Sequence, residues 1–327
     1  MITADLYSNT IQENNRFILQ MPDFKDNFVV IAGSGRSGTT WLGSLLDTYE
    51  HAEYYYEICH FPELDFDSPD LLKRKHPLIG FSPVRPVWLR KTERLLMEKL
   101  PQSVLSTTSM RLHQPLFFDK HQIDTCLFKI VKLFSFAMNL QKYKEKFDGR
   151  MKVIHIIRNP YSQLVSEIRQ HEKNVEHARQ HFSMRMHEII NNNNLVKYHD
   201  LGKRYLDGDW IEHMAFVWWV SNEIMIENKL LSTYVLTYEE LCRKPFEITQ
   251  DVFSFLGWPM SEQTKKQIEA TTTVENSETG TWSIKKNAEQ AMNRWRNEIK
   301  PSDYNRISQM LSSCQLMAMW NRKELLL

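Results

Sequence analysis

The stretch Val29-Val30-Ile31-Ala32-Gly33-Ser34-Gly35-Arg36-Ser37-Gly38-Thr39-Thr40-Trp41-Leu42 constrains this chain more than any other. Its β-branched run reads as a buried strand, the three glycines as a turn, and Leu42, Leu45 and Leu46 continue at helical spacing. Strand, turn and helix in that order make an anion cradle. Glycines let the backbone approach a ligand, and the N–H groups of the helix's first turn point at it. Gly33-xxxx-Gly38 has the spacing of a P-loop, but Thr39-Thr40 stands where Lys-Ser/Thr is expected. The positive charge comes instead from Arg36, inside the loop. The stretch therefore predicts a phosphate-like ligand held differently from the way an ordinary ATPase holds one.

Around this stretch the chain is ordinary for a globular protein with a sizeable core: 327 residues, 42% hydrophobic and 25% charged. A net charge of +1 gives no support to a general nucleic-acid or membrane-surface role, so an anion site must be local. Cys59, Cys126, Cys242 and Cys314 are scattered, with no CxxC, which fits reduced thiols better than a disulfide frame or a zinc site. Residues 1–15 are polar and do not read as a signal peptide. The longest apolar runs, such as Ala215 to Val220, are too short to span a membrane. The expectation is a soluble, cytoplasmic protein that binds neither metal nor nucleic acid.

Strand-like and helix-like segments alternate. Glu53–Tyr56, Cys126–Val131, Met151–Ile157 and Tyr234–Tyr238 read as further strands. Helices are expected from Pro160, over Trp210–Lys229 with its Trp218-Trp219 pair packed in the core, over Phe246–Leu256 closed by Gly257, and over Pro301–Asn321. This order predicts an α/β fold with a mostly parallel sheet flanked by helices on both faces, as one domain over residues 1–327. The segments 61–125 and 172–208 read as insertions on the acceptor side of a core spanning 27–60 and 126–300.

A second feature sharpens the first. The strand Val153–Ile157 ends in Arg158, at the sheet edge where α/β proteins bind ligands, and Ser162, Ser166 and Arg169 follow at helical spacing. A guanidinium fork beside a hydroxyl suits a second phosphate. Taken alone, Arg158 is equally compatible with pairing to a surface carboxylate.

With both features in place, the chain resembles the sulfotransferases that use 3'-phosphoadenosine-5'-phosphosulfate (PAPS) and release the 3',5'-bisphosphate PAP. GSGRSGTTWL at Gly33–Leu42 resembles their 5'-phosphosulfate loop, and IIRNPYSQLVS at Ile156–Ser166 resembles their 3'-phosphate site. LTYEEL at Leu236–Leu241, Pro245 and the later FLGWP resemble their following strand–helix module. The segment YYYEICHF at 54–61 is closer to the Golgi carbohydrate and tyrosylprotein branch, although no membrane anchor is evident.

The resemblance implies a P-loop-like sulfotransferase fold. It implies a donor site of Gly35, Arg36, Ser37, Gly38, Thr39, Thr40, Trp41, Arg158, Ser166 and Tyr238. A covering loop with Ser283, Lys285, Asn287 and Arg294 is matched only loosely. Glu57 stands where the branch carries its catalytic carboxylate, with His60 and His113 as alternative bases, and Lys129 is the expected second cation. The implied reaction is in-line sulfuryl transfer to a hydroxyl of a carbohydrate, phenol or lipid-linked acceptor, without metal. A P-loop kinase and a catalytically inactive nucleotide-binding homologue are the competing readings.

Overall fold

The computed structural model describes residues 27–55, 128–133, 151–171, 174–227, 232–272 and 288–321. The expected insertion 61–125 and residues Glu57, His60, His113, Ser283, Lys285 and Asn287 lie outside the described residues.

The described strands are β1 (Asn27–Ala32), β2 (Ala52–Tyr55), β3 (Phe128–Leu133), β4 (Met151–Ile157) and β5 (Ser232–Thr237). They form one sheet in the order β2-β3-β1-β4-β5, and every pairing is parallel. Central β1 lies in register with both neighbours, Val30 opposite Val131 on one side and Val153 on the other. Parallel strands covered on both faces need no polar alternation. That is why residues 29–32 of β1 and all of β4 except the half-buried Lys152 are buried, His155 included.

Helices α1 (Thr39–Leu46), α2 (Pro160–His171), α3 (Val175–Ile190), α4 (His199–Arg204), α5 (Trp210–Glu227), α6 (Tyr238–Arg243), α7 (Pro245–Leu256) and α8 (Glu262–Thr272) surround the sheet. The C-terminal part adds α9 (Ala288–Asn293), α10 (Trp295–Glu298), α11 (Pro301–Met310) and α12 (Ala318–Asn321). Two apolar cores result. Val29, Ile31, Ile154 and Ile156 pack with Leu42, Leu45 and Phe253 in one. Ile157 packs with Met186, Phe216, Trp218 and Trp320 in the other. Trp218 and Trp219 are core residues, as expected.

Two boundaries differ from the sequence expectation. Strand β5 stops at Thr237, whose side chain accepts from Glu240 N at 3.1 Å while Glu240 returns a carboxylate to Thr237 N at 2.9 Å. This capping box starts α6, so Tyr238 is helical. The single helix expected over Pro301–Asn321 is broken. Cys314 is extended (φ −77°, ψ 111°), and the chain redirects there to bury Leu316 and Trp320 beside Trp218.

His155, in the middle of β4, is fully buried, and its Nδ1 lies 3.3 Å from Ala32 O. Burial holds its pKa down at about 4, against the smaller upward pull of that carbonyl. The fold therefore refuses a proton that the unfolded chain accepts near pH 6.5. The stability this represents is complete above the unfolded pKa and is lost as pH falls from about 6.5 towards 4, by up to about 3 kcal/mol. Denaturant titrations at pH 7, 5.5 and 4.5 should show that decline, and His155→Gln should make it shallower by about one proton.

Candidate anion-binding site

The loop leaves β1 at Gly33 and is folded on itself by Ser37, whose N and Oγ both donate to Ser34 O at 3.3 and 2.7 Å. Arg36 adopts a left-handed backbone (φ 63°), costing about 1–2 kcal/mol for a residue with a Cβ. Gly38, at φ 95°, is the N-cap of α1 and brings no side chain to cap it, so the start of α1 opens on the loop, the end of a helix that favours an anion. A Cβ on Gly38 would stand 2.5 Å from the Tyr238 ring, and one on Gly35 would stand 2.6 Å from Glu167 Oε1. Gly38 is required by that close approach, whereas at Gly35 the end of the Glu167 side chain would have to shift.

Arg36 turns its side chain toward α2, where Nε donates to Ser166 Oγ at 3.0 Å. From the end of β4, Arg158 reaches back to the same loop. Its Nη1 donates to Arg36 O at 2.9 Å, its Nη2 donates to Ala291 O of α9 at 2.9 Å, and its guanidinium lies 4.5 Å over the Tyr238 ring. The buried Arg158 Nε has no hydrogen-bond partner among the described residues. The adjoining turn is tied down as well. Trp218 Nε1 donates to Arg158 O at 3.1 Å, and Asn159 Oδ1 caps α2 by accepting from Tyr161 N and Ser162 N. Burial pushes the Tyr238 phenol upward, so the ring beneath Arg158 stays neutral.

The structure thus brings Gly35, Arg36, Ser37, Gly38, Thr39, Thr40 and Trp41 together with Arg158, Ser166 and Tyr238 at the carboxyl ends of β1 and β4. The strand order reverses there, the usual place for a ligand in such sheets. Trp41 is buried against Tyr238 (6.0 Å, edge-on) and donates to Thr271 Oγ1. Arg169 and Arg294 face Glu298 instead, at 3.5 and 3.8 Å.

Lys129 is a correction. It is the second residue of β3, opposite Phe28, whereas Leu133 lies opposite Ala32 at the loop end. At about 3.3 Å per residue, that puts Lys129 on the amino edge, roughly 13 Å from the loop. Its reading as a second catalytic cation falls on that geometry. By register Lys132, opposite Ile31, stands closer to the loop.

Sequence reasoning passed over three contributors: the Ala291 carbonyl, Glu167 and Glu239. Glu239 was visible as the carboxylate after Tyr238 in LTYEEL. Nothing local in the sequence marked it as buried beside Arg158.

An uncapped helix start, a buried guanidinium N–H without a partner and a second arginine on a hydroxyl suit a ligand with more than one anionic group. This fold and site define an α/β protein with a P-loop-like anion cradle that lacks the P-loop lysine. The chain belongs to the sulfotransferase family, whose domain model matches residues 26–320. Among solved structures it is similar to the sulfotransferase domain from the curacin biosynthetic pathway, at 16% identity over 88% of this chain and 98% of that one, TM-score 0.43. It is also similar to mouse sulfotransferase SULT7A1 complexed with PAP, at 13% identity over 93% and 91%, TM-score 0.46. A third is sulfotransferase STF9 from Mycobacterium avium, at 13% identity over 96% and 81%, TM-score 0.44. No curated protein matches the chain. Among the described residues, no helix is long and apolar enough to cross a membrane.

Proposed function

We propose that this chain, as one sulfotransferase domain, transfers a sulfuryl group from PAPS to an acceptor hydroxyl and releases PAP, with carbohydrates the first acceptor class to test. When bound, PAPS supplies the activated sulfuryl group and a phosphate at each end of its ribose. The observation that carries this reading is the double tie between Arg36 and the second site, through Ser166 Oγ and Arg158 Nη1, which joins both anion seats in one unit.

In this reading Arg158 and Ser166 hold the 3'-phosphate, with Tyr238 under the guanidinium. The loop N–H groups, Arg36, Thr39 and Thr40 hold the 5' end and stabilise charge growing on the leaving oxygen. Trp41 borders the site, Ser283, Lys285 and Asn287 belong to the covering segment, and Arg294 joins them there only by giving up Glu298. Lys132 takes the second-cation role. Glu57 accepts the acceptor's proton. It follows β2, which ends at Tyr55 on the same sheet edge as the loop. The buried thiols of Cys242 and Cys314, neither of them in a disulfide, support a reducing compartment such as the cytoplasm.

The deciding experiment offers PAPS carrying labelled sulfate to panels of glycans, phenols and lipids. A labelled product is expected from a hydroxyl-bearing acceptor. Mg²⁺-dependent ATP turnover instead would establish the kinase reading, and tight PAP binding with no product from any class would establish a binding protein. Glu57→Gln should leave PAP affinity within about twofold and lower turnover about a hundredfold, the scale of a lost general base. A fall of only a few-fold would shift the base role to His60 or His113.

A further inference from the structure

Glu239, the second residue of α6, is a buried carboxylate with both oxygens engaged. Oε1 accepts from Asn159 N at 3.1 Å, and Oε2 accepts from Trp320 Nε1 of α12 at 3.1 Å. Trp320 in turn packs on Trp218 (5.8 Å between rings), the indole that donates to Arg158 O. The single peptide joining Arg158 and Asn159 is thus gripped at both polar atoms, its carbonyl by Trp218 and its N–H by Glu239, and the two grips meet through Trp320. A buried carboxylate is costly unless paired. Burial does push the Glu239 carboxyl upward, and the nearby Arg158 charge is the main opposing influence.

We propose that Glu239 is a positioning residue for the second anion seat, linking the Asn159 amide to Trp320 so that the C-terminal helix sets where Arg158 points. This rests on the reading of Arg158 as the 3'-phosphate ligand. Its consequence is that selectivity for a ligand with a 3'-phosphate depends on a residue on the far side of the turn, without contact with that ligand.

The test compares binding of PAP and adenosine 5'-monophosphate, which lacks the 3'-phosphate, to the full-length chain. The wild type should prefer PAP strongly, and Arg158→Ala should abolish that preference. Glu239→Gln retains the size but presents one carbonyl oxygen and an amide to two N–H donors, so one donor loses its acceptor. It should cut the PAP preference at least tenfold while leaving monophosphate affinity within about twofold. Losing the carboxylate charge alone would strengthen anion binding, so a fall reads the geometry. Trp320→Phe keeps the Glu239 charge and an aromatic ring beside Trp218 while removing the Nε1 donor together with part of the indole, and it should cut the preference at least threefold. Adding Glu239→Gln to Arg158→Ala should remove nothing further.

Undiminished preference in folded Glu239→Gln overturns the proposal. Should that variant not fold, undiminished preference in Trp320→Phe does so. A wild type that binds both nucleotides equally would instead overturn the donor assignment beneath it.

Discussion

Arg158→Ala is expected to weaken PAP binding about a thousandfold, which is about 4 kcal/mol. The substitution removes the cation proposed to face the 3'-phosphate and three further interactions: the bonds to Arg36 O and Ala291 O and the contact with the Tyr238 face. It also leaves the buried Glu239 carboxylate without its nearest opposing charge. Removing one partner from a buried charge pair costs about 3–5 kcal/mol, more than any exposed ion pair. Calorimetric titration with PAP, with circular dichroism to confirm folding, measures it. A loss below tenfold would mean that the guanidinium serves the fold and not the ligand.

Gly38→Ala is expected to be comparably severe, through stability as well as binding. A residue with a Cβ at φ 95° carries backbone strain of about 1–2 kcal/mol. The Cβ would also stand 2.5 Å from Tyr238 Cδ2 and 3.4 Å from Ile156 Cδ1. Tyr238 is buried and cannot retreat without moving Arg158, and overpacking of this kind costs about 1–3 kcal/mol more. The sum is roughly 2–5 kcal/mol in urea unfolding. PAP affinity should fall with it, because the Tyr238 face under Arg158 shifts. Wild-type stability with intact PAP binding would show that the loop relaxes around the extra methyl.

The site divides along a physical line. Gly33 to Trp41 and the Arg158–Ser166 spacing were legible because each is local: a strand end, a glycine turn and the first two turns of a helix dictate their own geometry. The capping box in Leu236–Leu241 is equally local, yet its consequence, Tyr238 standing on a helix beneath Arg158, needed the sheet to be assembled. Lys129 went wrong for the complementary reason. A strand's composition does not say which of its ends meets the loop; only pairing with β1 does. The unbroken helix expected over Pro301–Asn321 failed because its apolar spacing suits either a straight helix or a chain redirected at Cys314, and burial of Trp320 beside Trp218 chose the second.

By itself the sequence determined that this chain builds a parallel α/β sheet with a lysine-free anion loop and an arginine at a neighbouring strand end. Periodicity and glycine placement act over a few residues and need no partner. Tertiary structure alone decided that the two anion seats share Arg36, that Glu239 and Trp320 stand behind Arg158, and that Lys129 stands at the wrong edge. Those facts depend on direct contacts between residues 80 to 130 apart in sequence, made through strand register and core packing, which no short stretch of sequence encodes.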